Sequence, residues 1–261
     1  MSERSVVMYL GKINKLAAQG ESMGDYTNMS AYYDAIMTSG YYDYTAIVDG
    51  LLSQGPFKSV LEIGCGTGLI LEEMAKRQYS PSITGVDLTE AMLAIARKRL
   101  QPFSNVSLSK QNIIDFDMQQ QYELAFSYGG VWYFVIDGDK EPFMVSHLAE
   151  DEDNHRGMER LSKHICKGGK FLLGVQGPHF DYESKISNGM TYSQKVLPNG
   201  HGFTKHYYLA DASETVMAQT IHYRTYDWAE SRKMMSAYGF EHEPGVHIGN
   251  GKKQFLGFKK I

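Results

Sequence analysis

The sequence predicts a doubly wound parallel α/β sheet of seven strands, with a helical cap before it and a three-stranded antiparallel insertion after its fifth strand. Three observations predict it. Apolar runs without alternation interchange with helical periodicities from Ser59 to Val175. A glycine-rich turn joins the first such run to its helix. A late block of strand-like segments then has no helix between its members. At 261 residues and 43% apolar, the chain suits one substantial domain with an embellishment rather than two full domains.

The elements follow in order. Val6, Leu10, Ile13 and Ala17 recur at helical spacing, which predicts an amphipathic helix over Ser5 to Ala18 that Gly20 ends. Tyr26 to Tyr44 is dense in tyrosine, and Tyr44 to Leu52 reads as a helix leading to the first strand. Ser59 to Ile63 is that strand, buried on both faces, and Leu69 to Gln78 is its helix. Ser82 to Val86 is the second strand, and Thr89 caps a helix that closes on Arg97, Lys98 and Arg99. Val106 to Gln111, Leu124 to Ser127 and Lys170 to Val175 make strands three to five, with a helix over Met158 to His164 before the last. Met190 to Val196, Phe203 to Leu209 and Thr215 to Tyr226 form the antiparallel insertion, within about 188–226, joined by turns at Pro198-Asn199-Gly200 and Ala210-Asp211-Ala212-Ser213. A helix over Trp228 to Tyr238 and strands near Phe240 to Ile248 and Gln254 to Phe258 complete the sheet. The expected division is a cap over 1–52 and a core over 53–261.

Open parallel sheets bind ligands at the carboxyl ends of their strands, and the chemistry here sits at the first two. Val60-Leu-Glu-Ile-Gly-Cys-Gly-Thr-Gly68 places Gly64, Gly66 and Gly68 between strand and helix, where the backbone turns tightly and approaches a ligand without Cβ obstruction. Its spacing is G-x-G-x-G, not the G-x-G-x-x-G of dinucleotide binders. Glu62 just before it would repel a pyrophosphate but tolerates a ligand carrying ammonium and sulfonium charge. Asp87, ending the second strand, is placed to accept hydrogen bonds from ribose hydroxyls. Together these point to an adenosyl cofactor without phosphates.

On these residues the chain resembles the class I S-adenosylmethionine-dependent methyltransferases, whose sheet is Rossmann-like, from about Ser59 to Ile261. The resemblance implies that Glu62, Gly64, Cys65, Gly66 and Gly68 wrap the methionine moiety of S-adenosyl-L-methionine, that Asp87 takes the ribose, and that Leu88 and Met92 line the adenine pocket. Gln111-Asn112-Ile113 stands where the family usually shows Gly-Asp and an apolar residue. Asn112 keeps an acceptor for the adenine amino group, so recognition is expected to be weaker but retained, with Ile113 beside it. Phe126-Ser127-Tyr128-Gly129 is expected at the methionine part of the cofactor, facing the substrate. Tyr33-Asp34 and Asp43-Tyr44 are similar to the amino-terminal segment of glycine N-methyltransferases and sugar-amine N,N-dimethyltransferases, which implies that Tyr33 and Tyr44 fold over the cofactor. Met37 stands where several relatives place Tyr or His.

Methyl transfer from a sulfonium is an in-line displacement whose leaving group is built into the donor, so alignment and desolvation dominate and no triad is needed. An oxygen nucleophile would gain from a base. Tyr133 and His147 are the catalytic candidates, and Trp132, Tyr133, Tyr192 and His206 the substrate-binding ones, although aromatic residues in such places also serve as plain core. The acidic run Glu150 to Asp153 reads as a solvated loop. A net charge of −4 leaves no basic track for nucleic acid. Cys65 and Cys166, far apart in sequence, predict reduced thiols and no metal site. Glu3, Arg4, Lys12 and Lys15 interrupt the first residues, and no stretch is apolar enough to span a bilayer, which predicts a cytoplasmic protein without membrane association. The expected partner is a small-molecule acceptor, its demethylated cofactor product S-adenosyl-L-homocysteine, with a homodimer as an open expectation. Two other readings stand: an enzyme that cyclises or cleaves the cofactor or transfers a group other than methyl, and a non-catalytic cofactor-binding protein.

Overall fold

The computed structural model describes residues 26–244 and 254–261. The helix expected over Ser5 to Ala18, and the part of the strand expected beyond residue 244, lie outside the described residues. Among the described residues two helices come first, α1 (Ser30–Met37) and α2 (Tyr44–Leu52), the second capped by Asp43, whose carboxylate accepts the Ala46 N–H at 3.0 Å. The alternating core follows as β1 (Val60–Ile63), α3 (Leu69–Lys76), β2 (Ile83–Asp87), α4 (Glu90–Leu100), β3 (Val106–Lys110), a 3₁₀ turn (Ile113–Asp115) and β4 (Tyr122–Ser127). Then come β5 (Trp132–Val135), β6 (Phe143–Ser146), α5 (Asp151–Ser162) and β7 (Ile165–Gln176). The chain continues as β8 (Tyr182–Lys185), β9 (Thr191–Asn199), β10 (Gly202–Ala210), β11 (Thr215–Tyr226), α6 (Trp228–Ala237), β12 (Phe240–Glu243) and β13 (Phe255–Lys260).

The central strands β3, β2, β1, β4 and β7 pair in parallel in that order, a Rossmann-like arrangement in a mixed α/β chain. Both faces of this sheet are covered, as its unbroken apolar runs require. Leu61, Ile63, Ala125, Phe171 and Leu173 pack on one side with Met158 and Leu161 of α5 and Met234 and Met235 of α6. Val60, Ile83, Leu124, Phe126 and Leu172 pack on the other with residues of α2, α3 and α4.

Among the described residues pairing links 13 strands, with β13 antiparallel to β7 and β12 antiparallel to β13. β7 serves two layers. Its residues Lys170 to Leu173 pair with β4, while Val175 and Gln176 pair with Phe134 and Val135 of β5, respectively. From β5 the sheet runs on through β6, β11, β10, β9 and β8, all antiparallel. The insertion is thereby a four-stranded meander joined to a β5–β6 hairpin. A third apolar cluster lies under it, where Tyr133, Tyr192, Tyr207 and Tyr223 meet Met29, Ile36 and Met37 of the cap. The acidic run is corrected as well: Glu150 is the N-cap of α5, and Asp151, Glu152 and Asp153 fill its first turn, where the helix dipole favours negative charge.

Candidate active site

The glycine turn is built by the backbone of β1 and β2. Gly64 and Cys65 donate their N–H groups to the Val86 carbonyl at 2.8 and 3.0 Å. Gly64 has φ +73 and Gly66 φ +54, the left-handed region that glycine adopts at least cost. A Cβ on Gly64 would stand 2.8 Å from the Gly130 Cα and 3.2 Å from the Val131 N. The turn after β1 and the segment after β4 therefore touch backbone to backbone.

Asp87 ties this turn to the next. One carboxylate oxygen accepts the Gly66 N–H at 2.8 Å and the other the Thr89 N–H at 2.8 Å. Asp87 also lines the cavity. Glu62 is 2% exposed, and its Oε2 has no hydrogen-bond partner among the described residues. Burial, and then the nearby Asp87, push its carboxyl well above the ordinary range. An orphaned buried carboxylate oxygen is suited to an incoming ammonium.

The cap is fastened to the same turn. Asp34 of α1 accepts from the Thr67 hydroxyl at 2.6 Å and pairs with the Arg99 guanidinium of α4. This holds Tyr33, whose ring lies 3.8 Å from where a Cβ on Gly66 would be. The Tyr26 N–H donates to the Thr89 hydroxyl at 3.2 Å, which fixes a second tyrosine at the mouth of β2.

Cap, strand ends and antiparallel sheet together line a cavity that is partly open to solvent. Its far wall is a hydrogen-bonded aromatic array. The Tyr26 hydroxyl lies 3.0 Å from the His147 Nε2 and 3.1 Å from the Tyr223 hydroxyl, which lies 2.7 Å from that of Tyr207. Burial pushes the Tyr26 phenol up to about 12 and the His147 imidazole down to about 4, so both are neutral near pH 7. Beside them the Tyr133 hydroxyl meets the His179 Nε2 at 3.0 Å, and the His179 Nδ1 meets the Lys205 Nζ at 2.9 Å.

The structure brings together on this cavity Tyr33, Gly64, Gly66, Asp87, Leu88, Met92, Asn112, Ile113, Tyr133, His147 and Tyr192. Tyr44, Glu62 and Cys65 line a smaller adjoining hollow that shares Tyr33, Tyr42 and Gly64 with it. Asn112 also accepts the Ile114 N–H at 3.3 Å, capping the 3₁₀ turn. Gly68 and Ser127 stand behind the wall. Gly68 is the N-cap of α3 against Leu100 and Ala96, and Ser127 is fully buried.

Two substrate-binding expectations are corrected. Trp132 is fully buried on the α5 side, where its indole N–H donates to Asn154 Oδ1 at 2.8 Å. His206 faces away from the cavity, its Nδ1 3.0 Å from the hydroxyl of Thr220, its partner across β10 and β11. Strand parity explains the second: Lys205, Tyr207 and Leu209 are the buried face of β10, and His206 falls between them. Sequence reading missed Lys205, Tyr207, Tyr223, His179 and Tyr26. The alternation Phe203-x-Lys205-x-Tyr207-x-Leu209 was the available signal, a lysine inside an apolar stripe.

Residues 60–150 match the family model described as a methyltransferase domain. The chain is 34% identical over 159 residues to a putative methyltransferase of Geobacillus sp. strain WCH70, covering 59% of this chain and 58% of the relative. It is 55% identical over 149 residues to the ubiquinone biosynthesis O-methyltransferase of Pseudomonas aeruginosa strain LESB58, covering 57% of each. The chain thus spans less than two thirds of the curated relatives it matches. Among solved structures it shares its fold with S-adenosylmethionine-bound CalS10, an amino pentose methyltransferase of Micromonospora echinaspora. That match has a TM-score of 0.61 and 18% identity over 88% of this chain and 96% of that one. No helix among the described residues is long and apolar enough to cross a membrane.

Proposed function

We propose that the protein is an S-adenosylmethionine-dependent methyltransferase acting on a small molecule at an amine nitrogen. In this reading residues 1–52 act as the cap and 53–261 as the core, with the meander as the acceptor wall. The observation that carries it is the orphaned Glu62 oxygen beside the glycine turn, in a hollow adjoining the tyrosine-lined cavity that Asp87 lines.

Glu62 would receive the ammonium of the donor, the Gly64–Gly66 backbone its methionine chain, Asp87 its ribose, and Leu88, Met92, Asn112 and Ile113 its adenine. When bound, that cofactor supplies an electrophilic methyl group on a sulfonium. The rest falls to positioning. Tyr26, Tyr33, Tyr41 and Tyr42 of the cap close one side and exclude water, and the phenol oxygens of Tyr133, Tyr192 and Tyr223 offer acceptors for an amine N–H. Alignment of two bound reactants lowers a barrier by roughly 7–11 kcal/mol. An amine bound without its extra proton already presents its lone pair and needs little more. His147, held down to about 4, is a weak base toward an alcohol.

Incubation of the protein with S-adenosylmethionine and a pool of small primary and secondary amines tests this. Formation of S-adenosylhomocysteine only when amines are present is the expected result. Methylthioadenosine formed without any acceptor would replace the reading with cofactor cleavage or cyclisation, and turnover with phenols but not amines would move the transfer to oxygen.

A further inference from the structure

The lysine of the acceptor wall has no acidic partner among the described residues. Lys205 lies on the inner face of β10 between Phe203 and Tyr207, is 2% exposed, and lines the cavity. Its Nζ lies 5.7 to 5.9 Å from the ring centroids of Phe203, Tyr207 and Tyr223. Its hydrogen-bond neighbour is the neutral His179. No carboxylate pairs with it among the described residues. The acid that lines the same cavity, Asp87, is bound to the Gly66 and Thr89 N–H groups at the donor end.

A buried ammonium without a counter-charge is costly, and proteins ordinarily pair it. Aromatic faces relieve part of that cost, and burial pushes the ammonium down to about 7, so it sits at the edge of losing its charge. The groups facing it are all neutral near pH 7: His147 and His179, both pushed down, and the phenols of Tyr26, Tyr133, Tyr192, Tyr207 and Tyr223, all pushed up. An anion entering the cavity would meet a single positive charge and several hydroxyl donors. It would also restore the lysine's full charge.

We propose that the acceptor carries a carboxylate and that Lys205 receives it, so that the methylated amine belongs to an acid-bearing molecule. Among the described residues one lysine and no arginine line the cavity, which fits a singly charged carboxylate rather than a phosphate dianion. The proposal rests on the reading of this cavity as the acceptor site. It adds a specificity determinant at the end opposite the glycine turn. A simple cationic amine without an acid would be repelled there.

The test uses the protein saturated with S-adenosylhomocysteine and titrated by calorimetry with phenylacetate and with phenylacetamide, which match in size and differ in charge. Phenylacetate is expected to bind at least about tenfold more tightly, the lower end of what a charge-assisted hydrogen bond confers. Lys205→Met should abolish that preference and leave S-adenosylhomocysteine affinity within about twofold. Equal affinities, preference for the amide, or no carboxylate binding at millimolar concentration overturns the proposal, and this comparison on the unmodified protein stands even if the variant folds poorly. Failure of S-adenosylhomocysteine to bind would instead overturn the donor site, with the carboxylate preference then read on the protein alone.

Discussion

Replacing Glu62 by Gln separates a ligand-binding carboxylate from a structural one, because the two roles predict opposite signs. The side chain is 2% exposed with one oxygen lacking a partner. In the protein without ligand, burial and Asp87 raise its carboxyl. A raised folded-state value means that its contribution to stability is complete below the ordinary carboxylate range and is lost as pH rises through the raised value. Glu62→Gln removes that loss, so the free variant should be at least as stable as the parent at neutral pH in urea unfolding. Toward the donor the sign reverses. A hydrogen bond to a charged group contributes about 1.5–3 kcal/mol, which corresponds to roughly 10- to 150-fold weaker binding of S-adenosylhomocysteine. The parent's affinity should also rise with pH as the carboxyl ionises, and the variant's should stay flat. A variant that loses stability while keeping affinity would refute the role given to Glu62.

Three other outcomes follow from particular contacts. Gly64→Ala combines left-handed backbone with a Cβ 2.8 Å from Gly130 and should cost about 2–5 kcal/mol of stability. Gly66→Ala, whose Cβ meets the Tyr33 ring only at 3.8 Å, should cost about 1–2 kcal/mol but weaken cofactor binding; equal losses in urea unfolding would contradict this ranking. Trp132→Phe removes the buried hydrogen bond to Asn154 and should lower stability by about 1–3 kcal/mol with little change in S-adenosylhomocysteine affinity; a selective loss of affinity in calorimetry would return Trp132 to the site. His206→Ala should leave both cofactor and phenylacetate binding unaltered, because the ring faces away from the cavity, and weaker phenylacetate binding would show otherwise.

The donor end of this molecule was legible because its chemistry is local. Glycines between a doubly buried strand and a helix, a carboxylate just before them and another at the next strand end are sequence-adjacent facts. Each of those strands is also buried along almost its whole length. The acceptor end was not legible, and the reasons are physical. The β5–β6 hairpin lies in a stretch with no clear period, and its register depends on β7 being long enough to pair twice. Trp132 and Tyr133 are neighbours in sequence, yet strand parity sends one to the α5 side and the other to the cavity. The same parity separates His206, which reads as chemistry, from Lys205, which reads as an exposed charge until β9 and β11 flank its strand. Tyr26 joins His147 and Tyr223 across separations no pattern in one sequence reveals.

Calorimetric titration of the protein with S-adenosylhomocysteine, run beside the same titration with a nicotinamide dinucleotide, tests the central claim most directly. One S-adenosylhomocysteine site per chain and no dinucleotide binding are predicted, because Glu62 favours an ammonium and opposes a pyrophosphate. Dinucleotide binding, or no S-adenosylhomocysteine binding, would contradict the assignment of the glycine turn, Glu62 and Asp87 as a methyl-donor site.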